Sequence, residues 1–119
     1  MQKITPQYAE SCKIEYQTYM TKLGVNVKTT QTNCVSFESK ALQEYFMSNK
    51  IFENSDEIKF YFGIYPADSP QGYPGAKPGR LTTIIWPYKN GKATIIPPVG
   101  VGYGDGEPID PFNLGELYP

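Results

Sequence analysis

An α+β fold follows from three features of the chain: a long helical stripe near its start, a strand of strict alternation in its middle, and an uneven distribution of proline and glycine. Pro6 and Gly24 are the only proline and glycine before Gly63, and all the others follow. Regular helix is therefore predicted first, and strands joined by loops afterwards. The predicted architecture is two N-terminal helices packed on a small antiparallel β-sheet with long Pro/Gly-rich loops. The 119 residues make one domain, 1–119, with one modest core.

The first helix is signalled at both ends. Thr5 is placed to cap it, with Pro6 at the first helical position, where a missing N–H costs nothing. Gly24 stands where a left-handed residue ends a helix. Between them Tyr8, Cys12, Tyr16, Tyr19 and Leu23 recur at steps of three or four, widened by Ala9 and Met20. That spacing predicts one buried helical face. The polar stretch 25–35 predicts a loop entering a short strand near Cys34 and Val35. Ser36 or Ser39 is expected to cap a second helix that runs to Asn49 or Lys50, with Leu42, Tyr45 and Phe46 inward.

Ile58, Phe60, Phe62 and Ile64 alternate onto one strand face, which is predicted to be buried, so that Phe62→Asp would unfold the domain. Residues 81–87 read as a second strand, with Pro87 confined to its end or to an edge. Asn90-Gly91 marks a type I′ hairpin turn, and 92–96 is the returning strand, itself a sheet edge open to pairing. Two loops, 66–80 and 97–111, are longer than simple connections require.

Composition excludes several functions. Hydrophobic residues make up 39% and charged residues 19% of the chain, which fits a globular protein. The net charge of -1 and the lack of a basic stripe argue against nucleic acid or a membrane surface as partner. The start of the chain has no apolar run of the kind a secretory signal needs, and Cys12 and Cys34 are too few for a disulfide scaffold. Two reduced, partly buried thiols in a cytoplasmic protein are expected, with a Cys12–Cys34 disulfide as the minority alternative. Histidine is absent, which removes the Ser-His-Asp and Cys-His arrangements and the commonest general base. No catalytic residue, metal site or cofactor is predicted, and the chain reads as something other than an enzyme.

Candidate binding residues sit in the two long loops. Tyr73, Lys77 and Arg80, near Asp68, place an aromatic beside two cations, a combination suited to an anionic or sugar ligand or to an acidic patch on a partner. Asp105 and Asp110, with Glu107, make an acidic loop whose spacing lacks the EF-hand pattern for calcium. The glycines at 100, 102, 104 and 106 miss the GxGxxG spacing and precede Pro108 rather than a helix, so they read as a bending backbone. Pro108-Ile-Asp-Pro111 is a weak SH3-type motif with no arginine beside it.

Several segments carry a resemblance. Ser36-Phe37 before a helix with Leu42 and Tyr45, the run Ile58 to Pro66, Pro78-Gly79-Arg80-Leu81-Thr82-Thr83 before an apolar strand, and the closing Phe112-Asn113-Leu114-Gly115-Glu116-Leu117 together resemble a family of small uncharacterised bacterial proteins. The match covers about 35–119. The resemblance implies a bacterial, intracellular, single-domain protein and carries no catalytic residue with it. The leading functional expectation is a non-catalytic protein–protein interaction module with a protein partner, since ten tyrosines offer large contact area with a polar tip. The alternative is a small-ligand binder or carboxylate-based enzyme with a cleft between loops 66–80 and 97–111.

Overall fold

The computed structural model describes residues 1–96 and 107–118. Helix α1 spans Pro6–Lys22. The Thr5 hydroxyl accepts the Tyr8 N–H at 3.1 Å, and Pro6 occupies the first turn. At the other end the Val25 N–H donates to the Met20 carbonyl at 2.9 Å and the Gly24 N–H to the Thr21 carbonyl at 3.0 Å. That pair of bonds is a Schellman motif, and Gly24 supplies its left-handed residue with φ +78°.

Strand β1 (Cys34–Ser36) is followed by α2 (Ser39–Ser48) and the short α3 (Ile51–Asn54). Neither Ser36 nor Ser39 caps α2: Glu38 holds the cap position without a side-chain bond. Lys50, in the left-handed region at φ 49°, separates α2 from α3. Strand β2 (Glu57–Ile64) pairs antiparallel along its whole length with β3 (Leu81–Lys89), and a single turn, α4 (Ser69–Gly72), lies in the connection. Asn90 (φ 52°) and Gly91 (φ 76°) make the expected type I′ turn into β4 (Lys92–Ala93). The sheet order is β2-β3-β4.

The returning strand is shorter than predicted because the chain changes partner at Thr94. Beyond it β5 (Ile95–Ile96) pairs with β6 (Glu107–Pro108) instead of with β3. Pro87 lies inside β3, not at its end. Its carbonyl accepts the Thr94 N–H on the side away from β2, so the N–H that proline lacks is not missed by the β2 ladder. The last strand, β7 (Glu116–Tyr118), returns to pair with β1.

The core forms where α2, α3, β3 and the closing segment, residues 109–118, meet. Ile51, Ile85 and Ile109 are at most 2% exposed, and Tyr45 joins them with Phe37, Leu42, Phe46, Ile58 and Phe112 packed around. The Tyr45 and Phe112 rings stack at 4.6 Å, and Phe37 lies 5.4 Å from Phe112. A second cluster joins Tyr65, Ala76 and Leu117 over Val35.

Two expected buried faces are exposed instead. Helix α1 contains no buried residue, and Tyr8, Tyr19 and Leu23 are each more than 60% exposed. It is tethered by side-chain bonds to 32–33: Tyr16 OH to the Thr32 carbonyl and Gln17 to Asn33. On β2 the alternation is as predicted, but only Ile58 reaches the core, and Phe60, Phe62 and Ile64 are 59%, 89% and 60% exposed. The closing segment supplies core contacts in their place: Ile109 and Phe112 pack with Tyr45, Ile51 and Ile85, and Leu117 with Tyr65 and Ala76. Both thiols are likewise exposed and unbonded to each other.

Phe62→Asp is therefore expected to leave the protein folded, with a thermal midpoint within a few degrees of the parent. Ile85→Ala, which opens a cavity in the core, is expected to cost about 3 kcal/mol in a urea titration. Unfolding by the first substitution would contradict this assignment of the core.

Candidate functional site

The loop after β2 is short-tethered at its far end. The Tyr65 N–H donates to the Arg80 carbonyl, the Gly79 N–H returns to the Tyr65 carbonyl at 2.8 Å, and Gly79 takes φ +79° to make that reversal. Gln31 locks the same end: its amide donates to the Gly79 carbonyl, and its carbonyl oxygen accepts the N–H groups of Thr32 and Leu81. Ala76 is buried, so the middle of the loop is anchored as well.

Between this loop and the closing segment lies a groove of about 750 Å³. Asp68, Gln71 and Tyr73 form one wall, and Phe112, Asn113 and Leu114 form the other. Its floor is built on a ring of hydrogen bonds. Tyr65 OH donates to Asn113 Oδ1 at 2.8 Å, Asn113 Nδ2 donates to Thr82 Oγ1 at 3.1 Å, and Thr82 OH donates to the Tyr65 hydroxyl oxygen at 3.1 Å. A fourth bond, from Asn113 Nδ2 to the Thr83 carbonyl at 2.6 Å, fixes the amide in place. Each member of a closed ring polarises the next, and each is costly to leave unpaired in a buried setting. Gly115 follows because a Cβ there would stand 2.6 Å from Val35 Cγ1 and 2.9 Å from the Phe37 ring.

The candidate residues are divided by this arrangement. Asp68 and Tyr73 line the groove, whereas Lys77, Arg80 and Asp110 do not. Lys77 and Arg80 belong to the tethered end of the loop, where the Arg80 N–H donates to the Lys77 carbonyl. Asp110 offers its backbone carbonyl to Tyr45 OH at 2.7 Å. Burial first, and the nearby Asp110 charge second, push the Tyr45 pKa up to about 12, which makes this phenol a structural donor and not a base. Asp105 and the glycines around it lie outside the described residues. Tyr65, Thr82 and Asn113 are not among the candidates that residue type suggests, because each belongs to a strand or segment that reads as scaffold.

The sheet face that bears Thr82 carries a second aromatic set further along. Tyr61, Trp86 and Tyr88 meet at centroid distances of 6.0–6.2 Å, with Lys59 Nζ 4.4 Å above the Tyr88 ring. The hydrogen bond from Tyr61 is the first cause raising the Tyr88 pKa. A groove of about 660 Å³ separates α1 from the sheet, lined by Cys12, Tyr16, Met20, Cys34, Phe62 and Leu81 among others. Among the described residues no group of three or more Cys, Asp or Glu is arranged to hold a metal, and no helix is long and apolar enough to cross a membrane.

Asn113→Ala removes two bonds of the ring and the bond to the Thr83 carbonyl, and is expected to cost about 2–3 kcal/mol in urea denaturation. Combined with Tyr65→Phe, it is expected to show a coupling energy of about 1 kcal/mol. Strict additivity of the two substitutions would show that the ring does not act as a unit.

No family model, curated protein or solved structure matches the chain.

Proposed function

We propose that this chain is a non-catalytic protein–protein interaction module whose partner covers the apolar surface left open by α1 and β2. The observation that carries this reading is the exposure of Phe60, Phe62 and Ile64 on one strand face. Contiguous apolar surface of that kind marks interaction sites in soluble proteins. The radius of gyration supports it: 17.3 Å, against about 13.5 Å for a compact domain of this length. On this reading the packing that the sequence predicts for the first helix is completed by the partner, which fills the groove between α1 and the sheet. Exposed, unbonded Cys12 and Cys34 fit a reducing bacterial cytoplasm.

A second reading is favoured by the groove beside Tyr73. Its volume falls within the range of small-molecule sites, ~300–1,000 Å³. One carboxylate, two amides and an exposed tyrosine suit a sugar better than an anion, because Asp68 would repel negative charge and neither Lys77 nor Arg80 lines the groove.

Affinity purification from the native host separates the two. The variant Tyr8→Ala/Tyr19→Ala/Phe62→Ala, all at exposed positions, is expected to lose a stoichiometric protein that the parent retains. The variant Asp68→Ala/Tyr73→Ala is expected to keep it. Retention of the protein by the first variant and its loss from the second would reject the α1–β2 surface in favour of the loop.

A further inference from the structure

We propose that β2 is a strand-addition edge and that a second copy of the same strand occupies it, forming a two-fold dimer centred on Tyr61. The inference rests on reading the chain as an interaction module and names the partner at this one edge. Among the described residues β2 pairs with β3 alone, so its outer side is open.

Which backbone groups face outward follows from the ladder. The Ile85 N–H and C=O both bond to Phe112, on the side of β3 away from β2. Ile85 is opposite Phe60, so that pair is a non-hydrogen-bonded one, and Phe60 also turns its N–H and C=O away from β3. By alternation the same holds for Ile58, Phe62 and Ile64. The Tyr65 N–H, one step further on, points inward to the Arg80 carbonyl, as this phase requires. Among the described residues, four therefore present donors and acceptors without a strand partner along the edge, and three of these carry the exposed apolar side chains. Such an edge is a template for a further strand, and natural edges that avoid pairing are blunted by charge, proline or a bulge. None of the four outward-facing residues is charged or proline.

The strand complements itself. Antiparallel pairing centred on Tyr61 sets Ile58 opposite Ile64 of the second copy and Phe60 opposite Phe62, both as hydrogen-bonded pairs that use every outward N–H and C=O of the four residues. The two-fold axis runs perpendicular to the sheet, so the apolar face continues across both copies. Lys59 falls opposite Gly63, so no like charges meet, and a net charge of -1 per chain adds little repulsion. Cross-strand neighbours on one face pack against each other, so Phe60 meets Phe62 of the second copy and Ile58 meets Ile64 across the seam.

The test combines sedimentation with cross-linking. The parent is expected to sediment at twice the chain mass at tens of micromolar. Phe62→Pro removes an outward N–H only, so it is expected to keep the parent's circular dichroism and to sediment at the chain mass. In a Cys12→Ser/Cys34→Ser background, Tyr61→Cys places its two Cα atoms about 4.5 Å apart across the axis, within disulfide range, and is expected to form a covalent dimer on oxidation. Lys59→Cys leaves its two Cα atoms about 14 Å apart and is expected to stay uncrosslinked. A parent that is monomeric at these concentrations overturns the dimer, and if it still captures a host protein the module reading survives alone. Equal cross-linking at 59 and 61, or a Phe62→Pro protein that remains dimeric, also overturns it.

Discussion

Ile85 is gripped from both sides. Phe60 faces it across the β2–β3 ladder, and Phe112 exchanges both backbone hydrogen bonds with it at 2.8 Å on the other edge. The closing segment thus acts as an extra strand for one residue, long enough to seat its ring on Tyr45 and Phe37. Ile109 enters the core just before this contact, and Asn113 enters the Tyr65–Thr82 ring just after it. Leu117 then closes the second cluster, beside the β1–β7 pair. Four successive anchors, two of apolar burial and two of hydrogen bonding, bind one extended segment to β3, to α2 and to the end of the β2–β3 connection. The segment has little helical or strand propensity of its own, so these long-range contacts are what order it.

The consequence for the rest of the molecule is a division between a closed end and an open end. Around Ile51, Ile85 and Ile109 the sheet is covered by α2, α3 and the closing segment. Towards Phe62 and Ile64 no described element covers it closely, and α1 lies alongside on side-chain tethers. A helix of seventeen residues without a buried side chain gains little from tertiary packing, and its order depends on its own caps. Thr5 and the Schellman turn at Gly24 supply them. The open end is where the proposed interactions of α1 and of the β2 edge reside, and the closed end is what allows that surface to exist on a folded chain.

What was legible in the sequence was local. The Thr5-Pro6 start, the Gly24 stop, the alternation of β2 and the Asn90-Gly91 turn all rest on rules that involve a few neighbouring residues, and all appear where expected. Burial was not legible in the same way. The stripe on α1 and the even-numbered face of β2 have the pattern of core, yet a pattern says only that residues share a face. Which face is covered is decided by Ile109, Phe112 and Leu117, which lie in an aperiodic stretch broken by Pro108 and Pro111 and so give no signal of strand or helix. The groove shows the same limit. Tyr73 and Asp68 were accessible to residue-type reasoning, whereas Lys77 and Arg80 were grouped with them by proximity in sequence and are drawn away by the Gln31 lock. Asn113 offered one clue: a polar amide between Phe112 and Leu114, two residues before Gly115.

The central claim is that the closing segment is an integral part of the core. Amide hydrogen exchange measured residue by residue tests it most directly. If the segment is held as described, the Phe112 and Ile109 amides exchange as slowly as those in the middle of β3, through global unfolding alone. Exchange at Phe112 and Ile109 that is orders of magnitude faster than at Ile85 and Trp86 would mean the segment detaches while the sheet persists, and would contradict the account.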